Sequence, residues 1–133
     1  MIILDTHTLI WLDAGLDKLG SRARGHLDKA LQQSALAVSA ISFWEAAMLV
    51  VKGRIRLNIE AERWRSELLT KGLLEHPVTG HIGIRAASLP DFHGDPADRL
   101  IVATALAHNA TLATADQAIL NWKGTLPCID ATR

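Results

Sequence analysis

Four carboxylates occupy corresponding places in the chain, each just after an apolar run or in the first turn of an expected helix: Asp5, Glu45, Asp98 and Asp116. Asp5 closes the apolar run Ile2-Ile3-Leu4. Glu45 falls in the first turn of a helix expected from Ser42, beyond the run Leu36 to Ser39. Asp98 falls in the first turn of a helix opened by Asp95 and Pro96, and Asp116 comes just after Thr111 to Thr114, beyond Ala115. Acids gathered in one crevice repel one another unless a cation neutralises them. Oxygen donors without a nearby cysteine select a hard ion, Mg²⁺ or Mn²⁺. Such an ion on a few carboxylates suits phosphodiester hydrolysis, where it activates water and stabilises the leaving oxygen.

Each acid also has a local structural duty open to it. Glu45 stands three residues after Ser42, the spacing of a capping box. Asp95 before Pro96 is a strong helix start, so Asp95 is read as mainly structural. Asp98 can close a box with Asp95, and Asp116 can cap a short helix after it. Asp5 is the hardest to explain this way, because Thr6 is available for any capping there.

The elements that position these acids follow from apolar runs and stop signals. Ile2 to Leu4 does not alternate, as expected of a strand buried on both faces. A polar segment follows, then a helix around Ser21 to Gln33 and a strand over Leu36 to Ser39. The next helix, Ser42 to Lys52, ends at Gly53, and a helix over Glu60 to Lys71 ends at Gly72. Further along come a strand from Leu74 to Val78, a helix from Ile82 to Ser88 and a helix from Asp95 to His108. The strand Thr111 to Thr114, a short helix near Gln117 to Trp122 and an edge strand around Cys128 and Ile129 complete the chain. Alternating strands and helices predict an α/β fold with a mostly parallel sheet. In such a sheet all four acids lie at the carboxyl edge, where a strand-order switch opens a binding crevice.

Size and composition narrow the class. The 133 residues suit one domain, and a 49% apolar fraction suits a packed core rather than disorder. Fourteen basic residues balance fourteen acidic ones, so nucleic acid would have to be held by a local patch. Cys128 is the single cysteine, which excludes an internal disulfide and a cysteine zinc site. No segment has the length of a membrane helix or the order of a signal peptide, so a cytoplasmic protein with no membrane partner is expected.

The segments LDTHTLIWL (Leu4 to Leu12), SAISFWEAAMLVVKGRI (Ser39 to Ile55), HGDPADRLIVATA (His93 to Ala105) and LATAD (Leu112 to Asp116) resemble a PIN-domain ribonuclease. The nearest group is the VapC-type toxins of bacterial toxin–antitoxin pairs. The resemblance covers nearly the whole chain, with every motif in order. It implies one PIN-like domain over residues 1–133, with a mostly parallel sheet of about five strands flanked by helices. It also implies a metal site on Asp5, Glu45, Asp98 and Asp116 that cleaves RNA, and a cognate antitoxin that covers it. Asp5 and Asp98 are the surest ligands, with Glu45 or Asp116 acting on the attacking water. Ala97 and Ala47 depart from the larger side chains common at those places, which bears on packing rather than on the metal.

Other residues near these motifs carry weaker signals. Thr6 can orient water or phosphate, or bond local backbone. Arg99 can touch RNA phosphate, but an ion pair with a neighbouring carboxylate is favoured. His7 and His93 flank the acids and read as polar loop residues. Lys52, Arg54 and Arg56 are a basic stretch that serves either phosphate or solvent. Trp11, Trp44, Trp64 and Trp122 have aliphatic neighbours, so core packing is expected over base stacking. Phe43 to Val51 and Ala97 to Ala107 are apolar almost all round, which predicts a homodimer or a bound partner over one of them. The alternatives are a catalytically silent PIN-like interaction module and, more remotely, a phospho-acceptor receiver-type domain. The latter needs an acid pair after the first strand, where only Asp5 stands.

Overall fold

Five strands, all parallel to their neighbours, form one sheet in the order β3-β2-β1-β4-β5. The computed structural model describes residues 1–133. In chain order the elements are β1 (Ile2–Leu4), α1 (Thr6–Ala14), α2 (Ser21–Gln32), β2 (Leu36–Ser39), α3 (Ile41–Val51) and α4 (Ala61–Thr70). They continue as β3 (Leu74–His76), α5 (Gly80–Ala87), α6 (Pro96–Ala107), β4 (Thr111–Thr114), α7 (Gln117–Leu120) and β5 (Cys128–Asp130).

Strand residues alternate between two cores, which is why the apolar runs show no polar face. Leu4, Leu36, Val38 and Ala113 face one side, packed with Leu9, Leu27, Trp64 and Leu68 from α1, α2 and α4. Ile3, Ala37 and Leu112 face the other, packed with Ile101, Val102 and Ala105 of α6 and Ile119 of α7. A sheet covered on both faces buries every residue of a strand such as Leu36–Ser39.

Several boundaries differ from the sequence reading. The segment after Asp5, read only as polar, is helix α1. Its polar residues Thr6, His7 and Thr8 fill the first turn and its apolar residues the second, so no 3.6-residue stripe marks it. Thr6 and Thr8 are nonetheless buried. β3 stops at His76 because Pro77 has no N–H to donate to a ladder. α3 begins one residue earlier than expected, at Ile41. Gly53 and Gly72 end α3 and α4 as expected, with φ of 70° and 110°, a left-handed backbone that suits glycine.

The two apolar helices part company here. α6 is covered by its own chain: Ala97 and the run Ile101 to Ala105 are buried, with the sheet on one side and α5 on the other. α3 buries only Ser42 and Ala46, and leaves Trp44 53% and Val51 87% exposed.

Candidate active site

The sheet order changes direction between β1 and β4, and the crevice beyond their carboxyl ends is where the acids gather. Asp5 leaves β1 with its N–H on Ala113 O at 3.1 Å and becomes the N-cap of α1. Its Oδ1 accepts from the Thr8 N–H at 2.9 Å, and its Oδ2 accepts from the Thr114 hydroxyl. The expectation that Thr6 would do any capping is therefore corrected. Asp5 caps, and Thr6, already helical, is free to face α3.

Thr6 donates its hydroxyl proton to Glu45 Oε1. Its oxygen also lies 3.0 Å from Ser42 Oγ. One hydroxyl has one proton, so with that proton on the carboxylate the Ser42 hydroxyl is the donor to Thr6. The capping box expected for Ser42 and Glu45 does not form. α3 starts before Ser42, Ala40 at its N-cap makes no side-chain bond, and Glu45 sits in the second turn. Ser42 is fully buried and belongs to a chain of three polar side chains that aims Glu45.

Asp95 caps α6 as expected, its Oδ1 accepting from the Asp98 N–H at 3.0 Å with Pro96 in the first turn. Asp116 caps α7 through Oδ1 on the Ala118 N–H at 2.8 Å. Thr114 joins this acid to Asp5: its Oγ1 accepts from the Asp116 N–H at 3.0 Å while its proton goes to Asp5. Sequence reasoning passed over Thr114 and read Ser42 only as a capping residue. Both look like ordinary strand or helix-start residues, and only their burial beside an acid distinguishes them.

Capping does not account for the electrostatics. Burial, then the charges of Asp95, Asp116, Glu45 and Asp5 in that order, push the Asp98 carboxyl up to about 7. None of the four acids is paired with lysine or arginine. The single positively chargeable neighbour is His93, whose Nε2 lies 3.5 Å from Asp98 Oδ2. His93 lies in a loop, as read, but its side chain is turned toward Asp98. One donor atom each from His93, Asp98 and Asp116 lies within 4.8 Å of the others.

Arg99 meets neither of its expected roles. Its guanidinium donates to five backbone carbonyls: Ala86 at 3.0 Å, Ala87 at 3.2 Å, Leu89 at 3.4 Å, Phe92 at 2.9 Å and His93 at 3.0 Å. It clamps the end of α5 and the loop after it, and pairs with no carboxylate. Lys52, Arg54 and Arg56 are exposed. Lys52 follows Glu45 by seven residues, roughly 10 Å along the helix axis, so the basic stretch stands apart from the acids. His7 is exposed on α1. Trp11, Trp64 and Trp122 pack against the cores as expected, whereas Trp44 faces solvent.

The donor set suits a hard divalent cation. It consists of carboxylate oxygens and carries surplus negative charge. Comparison with known proteins agrees with the geometry. The PIN domain family model matches residues 2–123. Ribonuclease VapC22 of Mycobacterium tuberculosis is 35% identical over 127 residues, covering 95% of each chain. Among solved structures, VapBC2 from Rickettsia felis, bound to a DNA fragment from its promoter, superposes with a TM-score of 0.70 at 19% identity, covering 97% of this chain and 98% of that one. A toxin–antitoxin complex from Klebsiella pneumoniae gives 0.64 at 22% identity, over 97% and 96%. At these identities the solved structures speak for the fold.

Proposed function

We propose a function from the premise that the chain belongs to the PIN domain family: it is a Mg²⁺- or Mn²⁺-dependent endoribonuclease and the toxin of a toxin–antitoxin pair. One observation carries this reading. Asp98 is driven toward neutrality by its burial and then by the charges of the other acids, at a switch-point crevice that holds no lysine or arginine counter-charge. A divalent cation removes that repulsion. The ribonuclease relative supports RNA as the substrate, and the toxin–antitoxin complex that shares the fold supports an antitoxin partner.

In this reading Asp5, Asp98 and Asp116 hold the ion. Asp5 and Asp116 each keep unshared lone pairs beyond their capping bonds. A bound divalent ion supplies Lewis acidity toward a phosphoryl oxygen and a lowered pKa for water. Glu45, oriented by Thr6, positions the attacking water and takes its proton. Thr114 keeps Asp5 and Asp116 at a fixed separation. Arg99 acts at a distance, through the loop it clamps. The antitoxin places a cationic side chain among the acids, so its binding competes with the ion. No helix is long and apolar enough to cross a membrane, and we place the protein in the cytoplasm with its RNA.

An RNA panel incubated with native protein and with Asp98→Asn, in Mn²⁺ and in EDTA, tests the reading. The expected result is internal cleavage that needs both the metal and the acid. Native protein that binds Mn²⁺ yet cuts none of the panel would instead mark a silent interaction module.

A further inference from the structure

His93 is held in place by more contacts than a loop residue needs. Arg99 donates to its carbonyl and to that of Phe92. The Phe92 ring stacks on the imidazole, with centroids 4.4 Å apart and planes at 27°. The Asp95 N–H points at Nδ1 from 3.4 Å. A backbone donor there requires Nδ1 to be unprotonated, so in the neutral ring the proton is on Nε2. That Nε2–H is buried, has no hydrogen-bond partner, and lies 3.5 Å from Asp98 Oδ2.

A buried donor beside a carboxylate suggests two roles, and the tautomer separates them. As a metal ligand, Nε2 must offer its lone pair, which moves the proton to Nδ1 and sets it against the Asp95 N–H. As a donor, Nε2–H only has to close a few tenths of an ångström onto Asp98. We infer that His93 is a positioning residue: its Nε2–H bonds the Asp98 carboxylate and turns the other oxygen of Asp98 toward the ion. This rests on the metal site proposed above. Outer partners of this kind orient ligating carboxylates and change metal affinity by about 10–100-fold.

The test measures Mn²⁺ binding by electron paramagnetic resonance on the native chain and on His93→Ala, His93→Gln and His93→Asn. Thermal melts in EDTA check that each variant folds. Expected is a Mn²⁺ affinity at least about tenfold weaker in His93→Ala. Glutamine, whose amide nitrogen reaches the place of Nε2, should restore it, and asparagine, which reaches only as far as Nδ1, should not. Unchanged affinity in a folded His93→Ala overturns the inference. So does nitrogen hyperfine coupling from a directly bound imidazole in the native protein, which would make His93 a ligand. Failure of the native chain to bind Mn²⁺ at all, with Asp98→Asn no different, instead removes the metal site on which the inference stands.

Discussion

At the scale of single residues, Asp98 is where the proposed metal site and a purely structural role give different expectations. Its folded-state pKa of about 7 lies above the ordinary 3.8. The proton is therefore bound more tightly in the folded state. The stability this group contributes is complete below about pH 4 and is lost as pH rises through 7. Metal-free protein should melt at a lower temperature at pH 7.5 than at pH 5, and Asp98→Asn should flatten that slope. With Mn²⁺ at about 100 times its dissociation constant, the native chain gains roughly 2.7 kcal/mol that the variant largely lacks. Melting curves at both pH values, with and without Mn²⁺, check both statements. An unfolded variant would return Asp98 to a purely structural role.

Thr114 makes a second residue-scale case. Thr114→Val keeps the shape but removes the donor to Asp5 and the acceptor for the Asp116 N–H. Because Thr114 is fully buried, the orphaned groups should cost about 1–3 kcal/mol in urea unfolding. Calorimetry should show Mn²⁺ affinity falling with it, since Asp5 and Asp116 lose their common tie. Native-like affinity would mean that the two acids hold their places without it.

At the scale of elements, α6 and the α5–α6 loop form one unit joined by Arg99. Its five acceptors span the end of α5 and the loop through His93. Lysine offers a single ammonium with three donors, too few and too compact for the same set. Arg99→Lys should destabilise the fold by on the order of 2 kcal/mol through orphaned carbonyls. Hydrogen exchange should then quicken between Leu89 and Asp95 while α2 and α4 keep their protection. Uniform quickening over the whole chain would show a global role instead of this local clamp.

At the scale of the whole molecule, the question is what covers α3. Trp44, Val50 and Val51 are exposed along a helix whose other residues are almost all apolar. An unpartnered apolar face of this kind suits symmetric two-fold association. Light scattering at micromolar concentration should give twice the 14.5 kDa chain mass. Val51→Glu should shift it toward the monomer with a folding stability changed by no more than about 0.5 kcal/mol, as for an exposed site. A native monomer at that concentration rejects the dimer. α6 contributes nothing to this argument, because its apolar surface is already buried within the chain.

What the sequence determined by itself was whatever depends on near neighbours. Apolar runs without alternation marked the strands of a doubly covered sheet. Asp95-Pro96 marked the start of α6, and Gly53 and Gly72 marked two helix ends. The four acids, each near the end of a strand or the start of a helix, were legible because the parallel topology carries such positions to one edge. Only the tertiary structure decided which side chains meet across that edge. Asp5 and Thr114 are 109 residues apart, and Thr6 and Glu45 are 39 apart. No local pattern signals such a bond. Helix α1 was hidden because its polar residues Thr6, His7 and Thr8 cluster in the first turn, two of them buried, so no amphipathic stripe marks it. Packing of distant elements likewise gave Arg99 its backbone partners and set the His93 side chain beside Asp98. A polar side chain in a sequence shows what it can bond, and the packing of distant elements determines what it does bond.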